Sequence, residues 1–81
     1  MSASRNDIKK WLDEGKEKGA THVLIALDTW DYENYPVYIM PNENAREKVN
    51  EYGKSQDRID EVYNLSMNIE EQLNAVRVMN Y

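Results

Sequence analysis

The chain lacks cysteine and has one histidine and three glycines among its 81 residues. Without cysteine it can form neither a disulfide nor a thiolate metal site. The single histidine leaves no Cys-His pair, no HExxH element and no Ser-His-Asp order, and there is no glycine-rich phosphate loop. These absences favour a binding or inhibitory role over catalysis, and we expect a protein that is not an enzyme and needs no cofactor.

Long apolar runs are also missing. The longest one covers residues 23–27, whereas a helix that crosses a bilayer needs about 20 residues. The first residues contain no apolar stretch of the kind found in a signal peptide. The sequence therefore predicts a cytoplasmic protein with no membrane partner.

Positive charge is absent from two long segments, residues 19–45 and residues 59–76, and the net charge is −5. Such a chain is repelled by nucleic-acid phosphates, so we expect no direct nucleic-acid binding. It could instead mimic those phosphates or attract a basic partner. The simpler alternative is that the acidic residues serve solubility.

The chain is short, which limits it to one domain over residues 1–81. A domain of this size buries only about 60–65% of the surface that its unfolded chain exposes. Small scaffolds usually gain further stability from disulfides, metals or partner subunits. Because disulfides are excluded, we expect a homo-oligomer, a dimer or larger.

Hydrophobic spacing predicts a first helix over residues 5–18. Ser4 is a favourable N-cap with Asp7 three residues later, and Gly19 is a natural stop. Residues 22–27 are apolar on both faces, which predicts a central strand covered on both sides.

A loop over residues 28–35 and a second strand over residues 36–40 follow, with Pro36 at the first position of that strand. Two helices are then expected, over residues 43–52 with Asn42 as cap and over residues 56–74 with Ser55 as cap. The predicted fold is a small α+β domain in the order α-β-β-α-α with a two-stranded antiparallel hairpin. A third strand could come from the tail, residues 76–81, or from a partner protomer.

The most unusual segment is the stretch of residues 28–38, which holds half of the aromatic residues together with three carboxylates. Aromatic faces stack on bases and cations, and carboxylates accept hydrogen bonds from ribose hydroxyls or amines. A long hairpin loop pinned by its own aromatics is the alternative. The predicted ligand- or partner-binding residues are Asp28, Thr29, Trp30, Asp31, Tyr32, Glu33, Tyr35, Tyr38 and His22.

Two other functions of these residues, metal binding and general-base catalysis, have less support in the sequence. Asp28, Asp31 and Glu33 could hold a divalent cation, but their spacing matches no established loop and no glycine lets the chain wrap an ion. His22 could act as a general base beside Asp28, although a lone histidine more often makes a structural hydrogen bond. We therefore predict no metal site and no catalytic residue.

Three segments, residues 19–22, 28–38 and 61–73, resemble a group of short, mostly uncharacterised proteins of bacteriophage and prophage genomes. The most specific part is the Asp-Thr-Trp-Asp sequence at 28–31 that leads into Tyr-Pro-Val-Tyr at 35–38. The resemblance implies an accessory protein that counteracts a bacterial defence factor, and it carries over no catalytic residue.

Together these observations favour a non-catalytic binding protein that sequesters a nucleotide-like small molecule or binds a host protein through residues 28–38. A nucleotide needs positive charge for its phosphates, and that charge would have to come from a helix N-terminus or from Arg5, Arg46, Arg58 or Arg77. The alternatives are an acidic DNA mimic, a small metal-assisted hydrolase, and a structural module whose only interface is with itself.

Overall fold

The protein folds as helices on both faces of a small antiparallel sheet. The computed structural model describes residues 3–55, 57–75 and 77–81. Within them, three helices and three strands follow the order α1 (Arg5–Lys18), β1 (His22–Asp28), β2 (Glu33–Ile39), α2 (Ala45–Gly53), β3 (Arg58–Asn64) and α3 (Ile69–Asn74). The predicted α+β class and antiparallel hairpin are confirmed, and the predicted α-β-β-α-α order is roughly followed, except that a third strand, β3, precedes the last helix.

The first helix begins and ends at the residues that the sequence predicts. The Ser4 side chain accepts a hydrogen bond from the Asp7 amide, and the Asp7 side chain accepts one from the Ser4 amide. This reciprocal pair satisfies amides that have no partner within the helix. At the other end, Gly19 has a φ of 81°, a left-handed conformation that glycine adopts without steric cost.

Strand β1 lies in the centre of the sheet, whose order is β2-β1-β3. Val23 and Ile25 belong to one buried cluster, with residues of α1 and α3, and Leu24 and Ala26 belong to another, with Ala45 of α2. The prediction of a strand covered on both sides is confirmed. Because β1 contributes to both clusters, its continuous apolar run is what joins the two layers of helices.

The hairpin loop is shorter than the sequence predicts. Strand β2 begins at Glu33, so the turn comprises only residues 29–32 instead of the expected 28–35. Pro36 lies in the middle of β2, opposite Ile25, and not at its start. Proline is tolerated there because β2 is an edge strand, with one side free of ladder hydrogen bonds.

The helix predicted over residues 56–74 is wrong: its first half is β3. Ile25 pairs with Glu61 whereas Ala26 pairs with Ile59, so Asp60 is an extra residue that bulges from the strand. The bulge places Ile59 and Val62 in the same buried cluster although they are three residues apart. Three-residue spacing of apolar residues is also the signature of a helix, which is why the sequence misleads here.

Two further sequence predictions need adjustment. Helix α2 is capped by Asn44, whose side chain accepts from the Glu47 amide, and not by Asn42. The tail forms a single parallel bridge beside β3: the Val62 amide donates to Val78 O at 2.7 Å and the Asn80 amide donates to Val62 O at 3.0 Å. Gln56 and Val76, which the predicted last helix and tail strand included, lie outside the described residues.

Candidate functional site at the hairpin tip and the adjoining cleft

The tip of the β1–β2 hairpin is held in one conformation by the Asp28 side chain. Asp28 Oδ1 accepts hydrogen bonds from the backbone amides of Trp30 at 2.9 Å and Asp31 at 3.4 Å. The Tyr32 amide closes the turn by donating to Asp28 O at 2.6 Å. An aspartate that caps its own turn in this way pre-organises the loop without a ligand.

The same turn presents two large aromatic side chains to solvent. Trp30 is 79% exposed and Tyr32 is 66% exposed, the two highest values among the exposed large hydrophobic residues. Tyr32 also has a φ of 57°, a left-handed conformation that is uncommon for a residue with a bulky side chain. Strained backbone and exposed aromatic surface are both typical of binding sites, because neither is favourable for folding alone.

Six of the nine predicted site residues lie together at this tip: Asp28, Thr29, Trp30, Asp31, Tyr32 and Glu33. Asp31 and Glu33 are exposed, so the tip combines two aromatic rings with two solvent-facing carboxylates. The carboxylate of Asp28 is engaged by the turn itself.

The two remaining tyrosines lie on β2 and face opposite sides of the sheet. The Tyr35 hydroxyl donates to Asp57 in the α2 layer, and the Tyr38 hydroxyl donates to Glu14 of α1 at 3.0 Å. Burial, followed by the hydrogen bond to Glu14, raises the pKa of Tyr38 to about 12, and burial likewise raises the pKa of Tyr35. Both rings therefore fix helices and loops to the sheet.

His22 lies at the other end of β1, where it pairs with Ile39 and Asn64. Asp28 is six positions further along the extended strand, a distance of about 20 Å. Its Nδ1 lies 2.9 Å from Thr21 Oγ1, and its Nε2 is buried without a hydrogen-bond partner among the described residues. The structure does not bring His22 to the hairpin tip.

A cleft of about 660 Å³ opens beside the tip. Asn34 and Arg58 both pair with Leu27 of β1, so these residues form the row of the sheet next to the last hairpin pair, Asp28 with Glu33. The cleft is lined by Ala3, Arg5, Ile8, Ile25, Asn34, Arg58, Asp60, Glu61 and Arg77. Its volume lies within the range of small-molecule sites, about 300–1,000 Å³.

Asn34 anchors one wall of the cleft. Its Oδ1 accepts from the Ala3 amide at 2.8 Å, and its Nδ2 donates to Ala26 O at 3.1 Å and to Asp60 Oδ2 at 3.2 Å. One side chain thus connects the start of α1, the central strand and the bulge in β3. This wall of the cleft is consequently anchored to the sheet.

The charged groups of the cleft differ in how they are paired. Arg58 Nε donates to Asp60 Oδ1 at 2.9 Å, which forms an ion pair within β3. Among the described residues, Arg5 donates to neutral acceptors, the Tyr63 hydroxyl at 3.2 Å and Ala75 O at 3.0 Å. The Tyr63 hydroxyl in turn donates to Glu61 at 3.0 Å. Burial and the neighbouring Glu61 raise the pKa of Tyr63 to about 12, although Arg5 opposes this shift.

Sequence reasoning named Arg5, Arg58 and Arg77 as sources of positive charge but gave no reason to place them together. The helix predicted over residues 56–74 included Asp60 and Glu61, whereas they lie on β3 and line the cleft. Arg46 lies elsewhere, with its guanidinium 4.3 Å from the ring centre of Tyr81. The tertiary structure brings these three arginines together from α1, β3 and the segment after α3, and no local signal in the sequence encodes that grouping.

The described part of the chain contains no group of three His, Asp or Glu side chains placed to hold a metal ion. In the same residues, none of the helices combines the length and the apolar character that crossing a bilayer requires. No protein-family model matches the sequence, and no curated protein or solved structure is significantly similar to it.

Proposed function

We propose that the protein is a non-catalytic binding protein that sequesters a nucleotide-like small molecule at the hairpin tip and the adjoining cleft. The observation that carries this proposal is the presence of two exposed aromatic rings, Trp30 and Tyr32, on a turn that Asp28 already holds in place. A pre-ordered turn loses little conformational entropy on binding, and an aromatic face stacks on a planar base.

The resemblance to phage and prophage proteins supplies the biological setting of the proposal. In that setting an accessory protein counteracts a bacterial defence factor, here by withholding a nucleotide signal from it. A homo-oligomer fits this role, since two protomers can enclose a ligand that one hairpin tip alone leaves open to solvent.

A host protein is the second candidate ligand, and one observation favours it. Trp30 and Tyr32 do not line the cleft itself. Exposed aromatics that lie outside a cleft are suited to insertion into a pocket on a partner, where Trp and Tyr often dominate the binding energy. The carboxylates of Asp31 and Glu33 at the same tip would then favour a basic partner surface.

A DNA mimic needs carboxylates spaced along one face like phosphates, and four of the candidates lie on two different elements. Asp60 and Glu61 lie on β3, in the cleft, whereas Glu70 and Glu71 form the first turn of α3. The four carboxylates therefore do not follow one helix, as the predicted helix over residues 56–74 required. The metal-assisted hydrolase has no observation in its favour among the described residues.

Native mass spectrometry of protein purified from a bacterial cytoplasm without denaturation tests the proposal. We expect an oligomer that carries extra mass, which identifies the ligand directly. Purified protein that carries no small molecule and instead retains a cellular protein would favour the second candidate.

Substitutions at the tip then locate the site. Trp30→Ala and Tyr32→Ala should each abolish retention of the ligand while the fold stays intact, as judged by circular dichroism. Met67→Ala is the matched control, because Met67 is 47% exposed in the turn that follows Asn64, at the opposite end of the sheet. Retention by both tip variants would exclude the hairpin tip as the site.

A further inference from the structure

We infer that the cleft is an anion subsite that takes a phosphate group, held by the guanidinium groups of Arg5 and Arg77. The inference rests on the proposed function and deepens it, because it assigns the phosphate end of the ligand. The two arginines are separated by most of the chain, yet both line the same cleft beside the hairpin tip.

Arg5 is held in place by hydrogen bonds and forms no direct ion pair with the described residues. Its two hydrogen bonds go to the Tyr63 hydroxyl and to Ala75 O, which are neutral groups. A guanidinium has five N–H donors, so donors remain for another acceptor. The two bonds fix the plane of the group, and a fixed planar fork is what favours bidentate binding of phosphate.

Arg77 is exposed and makes no hydrogen bond or ion pair with the part of the chain that the structure describes. Its guanidinium is therefore available to a ligand without the loss of an existing contact. It follows α3, and Ala75, two residues earlier, supplies the carbonyl that binds Arg5.

The carboxylates of the cleft are occupied by protein groups. Asp60 accepts from Arg58 and from Asn34. Glu61 accepts from the Tyr63 hydroxyl. Three guanidinium groups face two carboxylates, so the cleft carries net positive charge in a protein whose net charge is −5.

This charge distribution favours the binding of a small anion over the binding of a nucleic-acid polymer. The whole protein repels the closely spaced phosphates of nucleic acid. A single phosphate or diphosphate group can reach the local positive charge while the surrounding acidic surface stays solvated. The ligand class is therefore a small phosphate compound, and the planar group stacked at the tip would make it a nucleotide.

The test is an NMR titration with sodium pyrophosphate at constant ionic strength, on wild type, Arg77→Gln and Arg46→Gln. Both substitutions remove one positive charge, but Arg46 is on α2, beside Tyr81. We expect saturable shifts of the Asn34 and Arg77 signals, and binding by Arg77→Gln weaker by about tenfold or more. Arg46→Gln should bind as wild type does.

Three results would overturn the subsite: no saturable change at millimolar pyrophosphate, shifts confined to residues outside the cleft, or equal weakening by the two arginine variants. Pyrophosphate has no planar group, so Trp30→Ala should leave its affinity unchanged. A titration with adenosine diphosphate separates the two proposals. If adenosine diphosphate binds more tightly than pyrophosphate, and Trp30→Ala loses that additional affinity, both proposals are supported. If the two ligands bind with equal affinity and Arg77→Gln weakens both, the subsite is supported and nucleotide stacking at the tip is contradicted.

Discussion

Arg5 and Tyr63 are 58 positions apart in the chain, yet Arg5 Nη1 donates a hydrogen bond of 3.2 Å to the Tyr63 hydroxyl. Tyr63 is fully buried, and its hydroxyl also donates to Glu61 at 3.0 Å. The first residue of α1 is thereby joined to β3 through a buried phenol, beside two residues that line the cleft, Arg5 and Glu61. The stability of the fold and the geometry of the proposed anion subsite share this contact.

Stability should fall in alkali because the Tyr63 side chain is buried. The folded-state pKa of Tyr63 is about 12 against an ordinary value of 10.0. Below pH 10 the folded and unfolded states are both protonated, so the contribution to stability is complete there. Between pH 10 and 12 the unfolded state alone loses the proton, and the free energy of unfolding decreases.

Thermal melts followed by circular dichroism across pH 9–12 measure this effect. Tyr63→Phe should lower the melting temperature at neutral pH, because Arg5 and Glu61 lose a partner, and it should flatten the alkaline decline. An alkaline slope equal to that of wild type would contradict the assignment to Tyr63.

Gly15 marks the closest approach of α1 to the sheet. A Cβ at this position would lie 2.8 Å from Val23 Cγ2, 3.2 Å from Leu65 Cδ1 and 3.3 Å from Tyr38 Cδ1. Gly15→Ala should therefore destabilise the protein by about 1–3 kcal/mol despite alanine's higher helix propensity. Urea unfolding monitored by tryptophan fluorescence provides the measurement.

Gly53→Ala is the matched control for that substitution. Gly53 ends α2, and a Cβ there would meet nothing within 4 Å. The same chemical change should stabilise the protein by about 0.4–1 kcal/mol, since alanine restricts the unfolded chain. If the two variants changed stability equally, close packing at Gly15 would not be the cause.

Gln72 is the buried polar residue that joins α3 to β3 and the tail. Its Oε1 accepts from the Asn64 amide at 2.9 Å and from Asn80 Nδ2 at 3.0 Å, and its Nε2 donates to Asn64 O at 2.9 Å. Gln72→Leu keeps the volume but leaves these buried groups without partners. We expect a loss of about 2 kcal/mol or more in the free energy of unfolding.

Asn74→Leu tests whether that loss comes from the hydrogen bonds. Asn74 is in the same helix but exposed, so its replacement should change the free energy of unfolding by less than about 0.5 kcal/mol. Faster hydrogen exchange at Asn64 and Asn80 in Gln72→Leu, but not in Asn74→Leu, is the accompanying expectation.

Asp28 should control the order of the hairpin tip. Asp28→Ala removes the acceptor for the amides of Trp30 and Asp31, so both amides should exchange faster with solvent and ligand binding should weaken. Asp28→Asn keeps a side-chain oxygen and should restore slow exchange. Equal exchange in the two variants would mean that the turn does not depend on this side chain.

Several parts of the fold could be predicted because their determinants are adjacent in sequence. The caps at Ser4 and Gly19 define the two ends of α1 through contacts with residues three or four positions away. The five apolar residues at 23–27 require cover on both faces wherever the rest of the chain lies. The concentration of aromatics near Trp30 likewise predicts the exposed tip, although not that Tyr35 and Tyr38 fold back onto the sheet.

The sequence by itself determined the first helix, the central strand and the composition of the hairpin tip. Only the tertiary structure decided that residues 58–64 are a strand, because the bulge at Asp60 gives β3 an apolar spacing that a helix shares. It alone also placed Arg5, Arg58 and Arg77 around one cleft. Residues this far apart in sequence come together only when distant strands pair, and the packing of the whole core decides that pairing.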